Sequence, residues 1–137
     1  MKTLYTTEVT VTGGRDGQAK ASDGRLDLRL AFPSELGGTG AGTNPEQLFA
    51  AGLAGCFTSS LVFVAKGMGL DASGALVAAK VGLTVDEAGA YGITATLDVS
   101  LPGLSGTDCD RVIAEAKRIC AYSNALAGKG SLTVAVA

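Results

Sequence analysis

The chain has 137 residues, of which 47% are apolar, a formal net charge of −2 and no histidine. This is the size of one ordinary domain, here 1–137, with enough apolar residues for a sizeable core and no need of disulfide staples. The 11 basic residues are scattered and Trp is absent, which excludes a nucleic-acid partner that relies on a cationic stripe or on base stacking.

Residues 4–11, rich in Thr and Val, predict a first strand. Met1 to Thr10 shows no charged-then-apolar leader pattern, so the expected location is cytoplasmic, where cysteines are free or redox-active thiols. Thr12-Gly13-Gly14-Arg15-Asp16-Gly17 is a turn, and Asp23-Gly24 is a hairpin signal. Leu26, Leu28 and Leu30 then alternate with Asp27 and Arg29, as on a half-buried strand, until Phe32-Pro33 ends it. Residues 34–42 form a loop. Its Gly38-x-Gly40-x-Gly42 lacks a Gly-Lys-Ser/Thr ending, and Glu46 would set negative charge where a phosphate should sit, so it reads as a flexible loop. Gly128-Lys129-Gly130-Ser131 also lacks the upstream glycine of a phosphate loop.

A first helix starts at Asn44 or Pro45, because proline suits the first helical position. Thr43 with Glu46, or Asn44 with Gln47, fits a capping box. The helix runs to about Lys66, and Gly67-Met68-Gly69 breaks it. Its apolar run, 48–65, approaches the ~20 residues of a membrane span only if Thr58, Ser59, Ser60 and the glycines are counted in. No aromatic belt flanks it, so it reads as a buried helix and no membrane partner is expected. Val77, Ala79, Val81, Leu83 and Val85 alternate with polar or small residues, as do Ile93, Ala95, Leu97, Val99 and Leu101. They predict a long hairpin around Glu87-Ala88-Gly89-Ala90, closed by Pro102-Gly103. A second helix spans 107–120, with Asp108 and Asp110 at its start and Lys117 and Arg118 at its end, matching the macrodipole. Leu132, Val134 and Val136 predict a last strand. The order βββ-α-ββ-α-β makes an α+β domain.

The first helix has no polar face, so one sheet cannot satisfy it. Ala50, Ala51, Gly52, Ala54 and Gly55 permit close approach of another helix. The expectation is an intimate homodimer that shares this core.

Chemistry is concentrated in three cysteines. Without an imidazole there is neither a Ser-His nor a Cys-His pair, and cationic activation of a thiolate is the main route left. No ligand cluster has chelating spacing, so no metal is expected. Cys109 sits between Asp108 and Asp110, which disfavour a thiolate, and eleven helical residues (~16 Å) separate it from Cys120. Cys56 lies mid-helix and by itself suits a buried core thiol. Three features add to it: Gly52, Ser59 and Ser60 nearby, a second cysteine at Cys120, and Arg15 in a glycine-rich turn.

Together these segments resemble the organic hydroperoxide resistance branch of the Ohr/OsmC family. The matching pieces are Thr12-Gly13-Gly14-Arg15-Asp16-Gly17, Gly42-Thr43-Asn44-Pro45-Glu46-Gln47-Leu48-Phe49-Ala50-Ala51-Gly52, Cys56-Phe57 and Cys120-x-Tyr122-Ser123-Asn124-Ala125. The resemblance implies the OsmC-like fold with a central buried apolar helix, as an intertwined homodimer. It implies a thiol peroxidase for alkyl and fatty-acid hydroperoxides, with Cys56 peroxidatic, Cys120 resolving, and Arg15 and Glu46 completing the site. It further implies no bound cofactor but an external dithiol reductant, a dihydrolipoyl group on dihydrolipoamide or a lipoylated protein. Ala121 departs from the family's usual proline, and Leu126-Ala127 from its usual Thr-Arg.

On that reading Arg15 offsets the desolvation of the Cys56 thiolate, and Glu46 aims the guanidinium through a bidentate pair. Phe49, Phe57 and Phe63 favour apolar peroxides. Glu46 and Cys56 are ten residues apart, ~15 Å along one helix, so Arg15 and Glu46 are expected to serve Cys56 of a partner subunit. The alternatives are a small apolar ligand-binding module, or a redox sensor or disulfide exchanger on the same fold.

Overall fold

The computed structural model describes residues 1–137. The chain forms two compact units, Met1–Leu48 and Phe49–Ala137.

The first unit holds a three-stranded antiparallel sheet in the order β1 (Val9–Thr12), β2 (Gln18–Ala21), β3 (Asp27–Arg29). Thr12 pairs with Gln18, and Gln18 with Arg29. The expected first strand is shorter than its Thr/Val-rich sequence, because β2 offers partners only for Val9 to Thr12. Residues 1–8 are exposed without strand structure. The turn between β1 and β2 is a single 3-10 turn, Gly14–Asp16, entered through Gly13 at φ 70°. The glycine-rich loop after β3 is folded back: the Gly38 and Gly40 N–H groups donate to the carbonyls of Pro33 and Phe32, at 3.0 Å each.

The helix α1 (Pro45–Gly67) begins where its sequence says it should. Asn44 Oδ1 accepts from the Gln47 N–H at 2.9 Å, and Thr43 Oγ1 donates to the Gln47 side-chain oxygen at 2.7 Å. This satisfies one of the four unpaired N–H groups at a helix start. By length and composition α1 could cross a membrane. It buries one side, Leu53, Phe57, Leu61, Val64 and Ala65. Ala51, Gly55, Ser59, Val62, Phe63 and Lys66 are exposed on the other.

In the second unit β4 (Leu76–Val85) and β5 (Tyr91–Ser100) form the long hairpin. Val77 faces Val99, Ala79 faces Leu97, and Leu83 faces Ile93. The turn is set by Asp86, whose Oδ1 accepts from the N–H groups of Ala88 and Ala90, both at 2.9 Å. An Asp side chain closing its own turn is a local signal. The helix α2 (Gly106–Ile119) is capped by Ser105, whose Oγ accepts from the Asp108 N–H at 3.2 Å. Its buried stripe, Val112, Ala116 and then Cys120, packs on Phe57, Leu61, Val64, Ala65, Ala72 and Leu101. A short turn, α3 (Ala121–Asn124), follows. The expected last strand is not formed. Leu132, Val134 and Val136 are 87%, 86% and 101% exposed, because alternation supplies strand propensity but not a hydrogen-bonding neighbour, and this chain offers them none.

Candidate functional site

Four side chains singled out by sequence form two pairs. In the first unit, Arg15 and Glu46 make a bidentate ion pair. Nη1 donates to Oε2 at 2.7 Å and Nη2 to Oε1 at 2.6 Å. Both residues are tied to the segment 29–32. On one side the Leu30 N–H donates to the Gly17 carbonyl at 2.8 Å, and the Phe32 N–H to Asp16 Oδ1 at 3.2 Å. On the other, the Thr43 N–H donates to the Arg29 carbonyl, and the Ala31 N–H to the Thr43 carbonyl. The turn that carries Arg15 and the helix start that carries Glu46 are thus hung on the same few residues. Asp16 is a supporting residue that sequence reasoning missed. An Asp beside the candidate arginine was the available signal.

The Arg15 and Glu46 side chains are 27% and 16% exposed. The Arg15 hydrogen bonds hold the Glu46 carboxyl below its ordinary range, against a smaller upward push from burial. Glu46 is therefore a carboxylate at any neutral or mildly acid pH.

In the second unit, the Sγ atoms of Cys56 and Cys120 are 3.4 Å apart, and both thiols are free. Cys56 projects from the middle of α1 and is partly exposed. Cys120 is fully buried at the C-terminal end of α2. Burial alone would raise the Cys120 pKa. The Ser123 N–H and hydroxyl, the Cys56 thiol and the Tyr122 N–H outweigh it and bring the thiol below its ordinary value. Ser123 was also missed as a functional residue. Its position three residues after Cys120, in the Tyr-Ser-Asn segment, was the signal.

The second unit also has an apolar cavity of about 340 Å³, which neither cysteine lines. Leu53, Phe57, Leu97, Ile113 and Leu126 line it, with Lys117 and Ser123 as its polar members. Of the three phenylalanines expected around the thiols, Phe57 is buried here and Phe49 packs on Tyr122. Phe63 is 73% exposed and borders a different cavity, with Val64, Met68 and Ile119. Cys109 is partly buried against the core, its sulfur 3.9 Å from the Leu104 carbonyl oxygen, and is a free thiol. No group of three or more Cys, Asp or Glu side chains could hold a metal ion.

Residues 38–135 match the family of OsmC-like proteins. The chain is 41% identical over 138 aligned residues to the organic hydroperoxide resistance protein of Xanthomonas axonopodis pv. citri, covering 99% of this chain and 96% of that one. The chain belongs to the organic hydroperoxide resistance branch of the OsmC-like family. It is 38% identical to the organic hydroperoxide resistance protein OhrA of Bacillus subtilis, over 98% of this chain and 96% of that one. The fold agrees. An organic hydroperoxide resistance protein from Legionella pneumophila superposes with a TM-score of 0.88 at 39% identity, over 93% of each chain. OhrB of Bacillus subtilis superposes at 0.82 and 38% identity, over 92% of this chain and 93% of that one. The α+β fold read from the sequence is the fold of this family.

Proposed function

We propose that the protein is a cysteine-based peroxidase that reduces organic hydroperoxides to alcohols. The observation that carries this is the 3.4 Å approach of a partly exposed thiol to a fully buried one. Two thiols so placed can close a disulfide with a small movement, and only Cys56 is open to a peroxide. Access, rather than acidity, assigns the roles.

The Cys56 thiolate attacks one peroxide oxygen. The O–O bond breaks, an alkoxide departs and is protonated to ROH, and Cys56 becomes a sulfenic acid. Cys120, held toward its thiolate by Ser123, attacks that sulfur. An S–S bond forms, S–O breaks, and hydroxide leaves as water once protonated. An external dithiol returns both cysteines to thiols through a mixed disulfide. A dihydrolipoyl group is the reductant the family resemblance favours, and no bound cofactor is needed. Fatty-acid and alkyl hydroperoxides are the substrates that the family resemblance favours.

Arg15 lowers the cost of the Cys56 thiolate and donates to the departing oxygen, while Glu46 fixes its aim. Arg15 and Glu46 of one subunit serve Cys56 of the partner in a homodimer. Supporting this are the exposed side of α1 and two terminal segments without strand partners, 1–8 and 131–137. Three free thiols suit a cytoplasmic location, with neither membrane nor nucleic acid as a partner.

The test is stopped-flow consumption of tert-butyl or linoleic hydroperoxide with dihydrolipoamide. Wild type is expected to turn over. Cys56→Ser loses roughly 10³-fold or more, the scale of removing an enzyme's nucleophile. Cys120→Ser gives one rapid turnover and then stalls. No turnover by wild type with either peroxide would leave the cavity as a ligand site and the thiols as core packing.

A further inference from the structure

Gly52 is an unfavourable residue for the interior of α1, since glycine is among the poorest helix formers. Its surroundings explain it. A Cβ at this position would sit 3.1 Å from Tyr122 Oη, 3.3 Å from Cζ and 3.5 Å from Cε1. The phenol of Tyr122 therefore lies closer to the helix than a side chain at this position would let it without a small shift. Phe49, one turn earlier, meets the same ring edge-on, with centroids 6.3 Å apart at 87°. Phe49, Gly52 and Cys56 follow at i, i+3 and i+7, along one stripe of the helix. Tyr122 is two residues beyond Cys120.

Cys120 itself packs on α1 in the core, and its sulfur meets Cys56, but the backbone and Asn124 hydrogen bonds of this segment run along α2. The Cys120 N–H donates to the Ala116 carbonyl at 2.9 Å, and the Asn124 N–H to the Cys120 carbonyl at 3.0 Å. Asn124 Nδ2 donates to the Arg118 carbonyl at 3.1 Å. None of these bonds reaches α1. Ala121, unlike a proline, leaves the backbone after Cys120 free to vary. The Tyr122 ring seated on Gly52 and Phe49 spans from the Cys120 segment to the helix of Cys56, one turn from the sulfurs.

We propose that Gly52 and Tyr122 are positioning residues for the disulfide: the ring seated on Gly52 holds Cys120 against Cys56. The catalytic consequence rests on the peroxidase reading, but the contact governs closure by any oxidant. With oxidised glutathione, two protein thiols become one disulfide and two glutathione thiols are released, so closure is measurable without peroxide.

The experiment uses the full chain with Cys109→Ser. It measures the glutathione equilibrium of the Cys56–Cys120 couple, and the rates of sulfenic acid formation and disulfide closure in one turnover with tert-butyl hydroperoxide. Tyr122→Ala and Gly52→Val are each expected to lower the equilibrium constant and the closure rate roughly tenfold, as misplacement of about an ångström does. Sulfenic acid formation should change by less than about twofold, since nothing is removed from Cys56. Tyr122→Phe keeps the ring and should stay within about twofold of wild type. The double variant should be no worse than Tyr122→Ala, because the added side chain meets vacated space. Tyr122 is 41% exposed, so its truncation leaves no enclosed cavity. Gly52→Ala, which displaces the ring tip only slightly, gives a milder second variant with an intermediate loss.

Folded Tyr122→Ala and Gly52→Val proteins with a wild-type glutathione equilibrium would overturn the proposal, as would additive losses in the double variant. Unchanged equilibria beside normal peroxide turnover would sink the positioning contact alone. The expected equilibria without peroxide turnover in any protein would support the contact and sink the peroxidase reading.

Discussion

Arg15 and Glu46, 31 positions apart, are joined at two points, with both N–H···O distances at 2.6–2.7 Å. The pair fixes the plane of the guanidinium as well as its position, because two parallel hydrogen bonds leave it no free rotation. A lysine would keep the charge and lose the aim.

The pH dependence of this pair has a definite sign. The folded Glu46 carboxyl is held below its ordinary value of 4.5 by Arg15. A depressed folded pKa contributes stability that is complete above the unfolded value and is lost as pH falls through the folded one. The stability difference between wild type and Glu46→Gln should thus be flat from neutral pH down to the unfolded carboxylate range, and shrink below it. Urea unfolding of both proteins between pH 7 and pH 3 measures this. A difference that grows as pH falls would show that the pair is not an ion pair in solution.

Cys120 follows the same rule at the other end of the scale. Its folded pKa is also depressed, with the Ser123 groups and neighbouring donors overriding burial. The reduced protein should gain stability as pH rises from the depressed value toward that of an unfolded thiol, and then level off. Cys120→Ser should lack this gain. Denaturant titrations of the reduced proteins from pH 6 to pH 10 would reveal it, and thiolate absorbance at 240 nm should appear earlier in wild type than in Cys120→Ser.

A site shared between subunits can be tested by mixing two inactive proteins. An Arg15→Ala subunit keeps its thiols, and a Cys56→Ser subunit keeps its arginine. Refolded together in equal amounts, half of the dimers are mixed and each has one complete site. About a quarter of wild-type peroxidase activity should return, by the symmetry of a two-fold dimer. No recovery, despite mixed dimers on native mass spectrometry, would place each complete site within one chain.

The exposed side of α1 yields a test of the dimer itself. Apart from its chain neighbours and the adjacent backbone of its own helix, a Cβ at Gly55 meets no atom within 4 Å. In a monomer, Gly55→Ala would stabilise the helix by about 1 kcal/mol, and Gly55→Leu would be tolerated. If a second α1 packs there, Gly55→Leu should instead weaken the dimer. Light scattering after gel filtration distinguishes the cases. A Gly55→Leu dimer as tight as wild type would move the interface off this face.

Some of this was legible in the residues. Asn44-Pro45 marks the start of α1, and alternation from Val77 to Val99 sets the faces of the hairpin. Periodicity carries such information because it is local. The same rule overreached at Leu132, Val134 and Val136, where alternation exists without a neighbour to bond. It also overreached at residues 4–8, beyond the reach of β2. Phe63 was grouped with Phe49 and Phe57 by composition, yet it is exposed, because its place on the helix turns it from the packed side.

The sequence by itself determined the chemical inventory: thiols without imidazole, one arginine in a glycine turn, and a glutamate at a helix start. It also determined the order of the elements as far as α2. Only the tertiary structure decided that Cys56 and Cys120, 64 residues apart, stand 3.4 Å from each other, and which of them is shielded. The same is true of the Ser123 groups on Cys120 and the Tyr122 ring on Gly52. Distance and burial between remote residues depend on how whole elements pack, a property that no local pattern of residues encodes.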